Sequence, residues 1–267
     1  MREPNISLLA KSLISADTSH RIKSMFEFGS GHGARDPQTS DVDLFVLVAK
    51  KSDITPIFTL INQLDDRILH WPHSRIKDFI ERHFLGSNEV GGLHVIVVSN
   101  EELVLGRLSK SSNHRGGFAK SLRLRILTAL LISEGVFLFK LKNQSKIMYG
   151  ENTIKNITLP SLGWTDRVKC FSLSLVVLTL APLSLLKRRK FIMWCFKATK
   201  YYADCIETYL LIKNGDNRKL PSKLRTPFYE EVKEYRYIPD KYEKSALWLY
   251  IRTWGHLFAN IPFIWSA

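Results

Sequence analysis

FEFGSGHGARDPQTSDVDLFVLV, residues Phe26–Val48, decides the reading of this chain. Apolar residues from Met25 lead through Phe28 into Gly29-Ser30, and ten residues rich in Gly and polar side chains separate that pair from Asp41. Asp41-Val42-Asp43 then runs straight into Leu44–Val48, an apolar run of strand character. Side chains two apart on a strand share a face, so Asp41 and Asp43 point one way while Val42 and Leu44 point into a core. Two neighbouring carboxylates suit a hard, oxygen-loving divalent cation such as Mg²⁺ (or Mn²⁺). Gly29-Ser30 predicts a tight turn whose backbone N–H groups meet phosphate oxygens. The plainer reading is a hairpin whose Asp pair caps a loop. It leaves unexplained why an acid opens an apolar strand, a place where Asp is disfavoured.

Gly29-Ser30, ten residues, then Asp41-Val42-Asp43, set between two apolar strands, is similar to the signature of the DNA-polymerase-β-like nucleotidyltransferase superfamily, in particular its small prokaryotic branch. That branch includes aminoglycoside nucleotidyltransferases and the nucleotidyltransferase halves of toxin–antitoxin pairs. The signature spans about a tenth of the chain. The resemblance implies an α+β fold: a small mixed-sheet nucleotidyltransferase domain over residues 1–112, followed by an all-helical domain over residues 113–267. It implies a metal-dependent enzyme that moves a nucleoside monophosphate from a nucleoside triphosphate to an acceptor hydroxyl. The acceptor stays open between RNA, protein and small molecule. In that scheme Asp41 and Asp43 are the catalytic metal ligands, and Gly29 and Ser30 bind the nucleotide phosphates.

The sequence departs from the family on its third strand. Gly91-Gly92 introduces Leu93–Val98, LHVIVV, a β-branched run. The superfamily places a third carboxylate on such a strand, where it activates the attacking hydroxyl; this run has His94 and no acid. Imidazole accepts a proton near neutrality, so His94 is the candidate base. It cannot supply the negative charge that helps hold a second metal. Leu93, Val95 and Val97 make an apolar face, which turns His94 the other way with Ile96 and Val98. The alternative function follows from the missing acid: a catalytically weakened nucleotide- or RNA-binding module of the same fold.

Composition agrees with either function. Lys and Arg number 39 against 25 Asp and Glu, a net charge of +14, which favours polyanions: nucleic acid, nucleoside triphosphates or an anionic membrane surface. Cys170, Cys195 and Cys205 lack metal-ligand spacing and predict reduced thiols. The opening MREPNISLLAKSL has no apolar core of secretory length, and the expected location is cytoplasmic.

Along the chain, Ile6–Ile14 predicts a short amphipathic helix, and 53–69 a second one with Pro56 in its first turn. Ser111–Gly117 is a polar linker and Phe118–Phe139 a long helical run, and Ile147-Met148-Tyr149-Gly150-Glu151 resembles the strand and Tyr-Gly-Glu/Asp segment that these enzymes often carry before the helical domain. Everything beyond Pro160 reads helical. Cys170–Leu186 has seventeen residues without a charge; at this length, with its Ser, Thr and Pro, it predicts a central helix buried all round rather than a stable membrane insertion. In 190–212, Phe191, Cys195, Ala198, Tyr202, Cys205, Tyr209 and Ile212 form an apolar stripe. Lys190, Lys197, Lys200 and Asp204 fall on another face at 100° per residue. Lys200 is the candidate phosphate-binding cation that the family takes from its helical domain.

Overall fold

The computed structural model describes residues 6–28, 42–64, 93–104, 113–115, 131, 133–157, 159, 161–213, 228, 231, 234 and 245–265. Its architecture is α+β, a mixed five-stranded sheet with a separate helical assembly. The strands are β1 (Ile22–Phe28), β2 (Val42–Val48), β3 (Leu93–Ser99), β4 (Asn113–Arg115) and β5 (Lys146–Gly150), in the order β4-β3-β2-β1-β5. Only β2 and β3 pair in parallel among these neighbours; the other pairs are antiparallel.

The central strands are apolar on both sides because helices cover both. Leu44, Val46 and Val48 alternate with Phe45 and Leu47, and all five are fully buried. The even set packs with Val95 and Val97 against α1 (Ile6–Ala16) and α2 (Ile54–Leu64). Phe45 and Leu47 join Ile96 and Val98 in a second core, closed by α3 (Asn100–Val104), α4 (Glu134–Gln144) and the 3-10 turn Thr153–Asn156. The odd residues of β3 therefore face a core, as their pattern predicts, but Ile96 and Val98 face one as well.

Asp53 accepts a hydrogen bond from the Lys50 amide at 3.0 Å, which closes the turn leading into α2. The long run expected over Phe118–Phe139 is interrupted at Ser133, outside any helix. Its hydroxyl accepts the Val136 amide at 3.2 Å, the reach of an N-cap, and α4 starts afresh there.

The chain divides into two compact units. The first takes Met1–Phe79, Asn88–Thr128 and Phe137–Pro160; the second takes Ile80–Ser87, Ala129–Val136 and Ser161–Ala267. The division drawn between residues 112 and 113 falls inside the first unit, because the chain returns to the sheet for β4 and β5. Gly150 ends β5 at φ +75, and a Cβ there would lie 1.9 Å from the Lys23 carbonyl oxygen. Only glycine allows the two backbones this approach.

In the second unit α5 (Trp164–Leu180) and α6 (Arg188–Lys213) form a hairpin through the 3-10 turn Ala181–Ser184, packed with α7 (Ala246–Ala259) and α8 (Pro262–Trp265). The predicted stripe on α6 holds: Phe191, Cys195, Ala198, Tyr202 and Cys205 are buried, and Tyr209 and Ile212 half-buried. Residues Cys170–Leu186 are not buried all round. Trp164–Ser184 is long and apolar enough to cross a membrane, with mean hydropathy 1.4, and 39% of its apolar window is buried. Cys170, Ser174, Val177 and Leu178 turn inward, while Leu183, Leu185 and Leu186 are exposed.

Candidate functional site

β1 ends at Phe28 and β2 begins at Val42, so the chain leaves and re-enters the sheet at one end of it. Register fixes what meets there. Phe28 and Asp43 are partners across the antiparallel pair, and Asp43 and His94 across the parallel pair. Neighbouring strands run about 4.8 Å apart, so the backbones of Phe28, Asp43 and His94 form one row across three strands. β2 and β3 keep an unbroken register from Val42↔Leu93 to Val48↔Ser99. Positions 43 and 94 consequently fall on one face by strand periodicity, that of Phe45, Leu47, Ile96 and Val98.

Below that row the face is aromatic. Phe28 meets Phe137 edge-on with centroids 5.1 Å apart, and Phe137 contacts Phe45 at 6.3 Å. Edge-to-face contacts of this kind add to simple burial and hold rings in place. The first and third residues of Phe26-Glu27-Phe28 thus contribute to the apolar support beside Asp43, Phe26 lying fully buried in the same core. Phe28 is signalled by the alternation of FEF before Gly29, while nothing local in the sequence marks Phe137.

Of the predicted site residues, Asp43 and His94 are brought together as strand partners. Gly29, Ser30 and Asp41 lie outside the described residues. Lys200 lies in the second unit, half-buried on α6. The face that includes Lys190, Lys197, Lys200 and Asp204 is not a simple solvated one: the lysines are half-buried and Asp204 is 7% exposed. Lys197 holds its Nζ over the Trp194 ring, 5.6 Å from its centre, within cation–π range. Among the described residues no group of three His, Cys, Asp or Glu side chains is placed to share a metal ion.

The second unit carries a set of buried polar groups that the sequence does not announce. Arg167 is 7% exposed, donates from Nη1 to the Phe263 carbonyl at 3.1 Å, and lies over the rings of Tyr209 and Phe263 at 5.1 and 5.7 Å. Ser133 donates to Asp166 at 2.7 Å, and the other oxygen of Asp166 accepts the Gly163 amide at 3.1 Å. Tyr202 donates to the Asn260 carbonyl at 2.7 Å. All three cysteines are free and buried. Burial pushes Cys195 up to about 12. A hydrogen bond with Cys170, together with burial, raises Cys205 far above the ordinary thiol range. Such thiols are poor nucleophiles, and their role is packing.

No protein-family model matches the chain, and no curated protein does. Among solved structures, a spectinomycin adenyltransferase from Enterococcus faecalis, determined with ATP and spectinomycin, is similar to it at TM-score 0.42 and 14% sequence identity. That match covers 92% of this chain and 97% of the other.

Proposed function

We propose that the protein is a metal-dependent nucleotidyltransferase, acting on a nucleoside triphosphate and an acceptor hydroxyl. The observation that carries the reading is the row Phe28, Asp43, His94: it sets one member of the Asp pair beside the departing third strand, next to the strand end that Gly29-Ser30 follow in sequence. All the proposed site residues except Lys200 come from the first 112 positions.

Asp41 and Asp43 would hold Mg²⁺ or Mn²⁺. The donor set fits by its chemistry, two carboxylates two residues apart in sequence, with Asp43 on the central strand β2. A bound divalent ion would supply charge neutralisation for the phosphates and the attacking oxygen. Gly29 donates its backbone N–H, and Ser30 its N–H and hydroxyl, to the outer phosphates. Lys200 is the point charge that the resemblance assigns to phosphate binding from the helical region. His94 takes the proton of the acceptor hydroxyl as its oxygen attacks the α-phosphorus; the bond to the bridging oxygen breaks in line and pyrophosphate leaves. The apolar floor of Phe28, Phe45 and Phe137 limits water on that side of the row.

A second reading is favoured by one observation: the residue opposite Asp43 is His94 and not an acid. A protein of this fold that binds nucleotide or RNA without turnover would tolerate that replacement. The test is incubation with Mg²⁺ and each α-labelled nucleoside triphosphate, with and without total RNA, for wild type, Asp41→Ala and Asp43→Ala. Label transfer by wild type that both variants lose supports the enzyme. Salt-sensitive RNA binding without pyrophosphate release supports the binding module. Transfer by Asp43→Ala at the wild-type rate would remove the metal assignment.

A further inference from the structure

One end of the helical unit is apolar and basic together. α5 and α6 run antiparallel, with Phe171 against Tyr202 at 5.5 Å, so the turn between them forms a tip. α7 runs parallel to α6: Phe191 meets Tyr250 at 5.3 Å, Cys195 hydrogen-bonds Thr253, and Tyr202 bonds to Asn260. This order puts the first turns of α7 at the same end as the tip. Ala181 and Ser184 close the tip inward, fully or almost fully buried. Leu183, Leu185 and Leu186 turn outward, Leu186 at 96% exposure. The first turns of α7 add exposed Leu247, Trp248 and Ile251. Buried Ala246, Leu249 and Thr253 occupy the opposite side of the helix, which is therefore apolar on both faces. Lys187, Arg188, Arg189 and Lys190 follow the three exposed leucines directly.

Single exposed leucines are ordinary, but a cluster at one end of a bundle marks an interaction surface. Its chemistry selects the occupant. Four consecutive cations abut the apolar tip on a chain of net charge +14, and a tryptophan stands beside it. Apolar insertion beside a basic cluster is the recognition chemistry of an anionic lipid surface, and tryptophan prefers the headgroup level. We infer that this end of the helical unit docks peripherally on an anionic bilayer, with the 183–186 tip and the start of α7 entering the headgroup region and the exposed Arg188 beside the leucines facing the lipid phosphates.

The experiment is co-sedimentation of the full chain with phosphatidylcholine vesicles and with vesicles of about one-third phosphatidylserine. Wild type should sediment with the anionic vesicles and remain in solution with the neutral ones. The double variant Leu185→Asp, Leu186→Asp should lose roughly tenfold or more of that partitioning with an unchanged circular dichroism spectrum. Trp248→Ser should weaken it independently. The three side chains are exposed, so the substitutions leave the core intact; Leu247→Asp serves as a second probe if the double variant fails to fold. No binding to anionic vesicles, or binding unaffected by these substitutions, overturns the inference. A wild-type dimer in light scattering that the double variant dissociates would assign the surface to a second copy instead. Vesicle binding that RNA displaces and the leucine substitutions leave unchanged would assign the basic cluster to nucleic acid, and also overturns it.

Discussion

Asp43 and His94 face each other as Cα partners across the parallel pair β2–β3, each at the second position of its strand. The register runs on from them without a bulge, through pairs buried on both faces of the sheet. A site built this way inherits the rigidity of the core. Its geometry at the backbone depends on Leu44 to Val48 and Val95 to Val98 far more than on the loop that precedes it.

The register makes His94 the residue at which the proposed activity is best tested. His94→Asp restores the acid expected on this strand and should keep or raise label transfer. His94→Ala should lower it by roughly 10²-fold or more, the lower part of the general-base range. Single-turnover transfer with saturating nucleotide measures both. Equal rates for His94→Ala and wild type would leave proton removal to water or another group.

Lys200 tests the helical unit's share in nucleotide binding. A charge-assisted hydrogen bond is typically worth about 1.5–3 kcal/mol, so Lys200→Ala should raise the Kd for the nucleoside triphosphate roughly tenfold or more. Isothermal calorimetry reads this directly. An unchanged Kd would leave Lys200 a half-buried lysine whose stem covers apolar surface on α6.

Gly150 is a backbone prediction independent of function. Its left-handed φ and the 1.9 Å approach of a Cβ to the Lys23 carbonyl combine strain with a clash against main chain. Gly150→Ala should destabilise the first unit by about 2 kcal/mol or more, as a lowered midpoint in urea. A midpoint within error of wild type would mean that β5 can draw back from β1 at little cost.

Much of this fold is legible where periodicity is strong. The apolar runs of β2 and β3, the amphipathic α1 and the stripe on α6 can all be read from spacing alone, because each residue's burial follows from its own element. What escapes the sequence depends on partners elsewhere. β4 is Asn113-His114-Arg115, polar residues inside a stretch that reads as a linker; its pairing with Val95 to Val97 supplies what its composition lacks. Ser133 stops a helical pattern because its hydroxyl both caps α4 and bonds to Asp166, 33 residues on. Ile96 and Val98 read as a cleft-facing set beside His94, yet α4 and the 3-10 turn cover them. For the candidate site, the Asp pair and His94 could be named from chemistry, while the opposition of Asp43 and His94 across β2 and β3 required the parallel register.

His256 provides a pH test of the second unit. It is half-buried on α7, its ring 5.3 Å from Phe228, and burial lowers it from the ordinary value of 6.5. Below pH 6.5 the unfolded chain takes up this proton more readily than the folded one. The stability owed to a neutral His256 is therefore complete above that pH. It is lost progressively as pH falls, until the lowered folded value is reached. Wild type should show a fall in Tm from pH 7.5 to pH 5, and His256→Gln, which cannot charge, a smaller one. Other groups titrate over the same range, so the difference between the two proteins is the quantity that isolates His256. Parallel Tm curves for wild type and His256→Gln would mean that the imidazole is protonated as easily in the folded helix as in the unfolded chain.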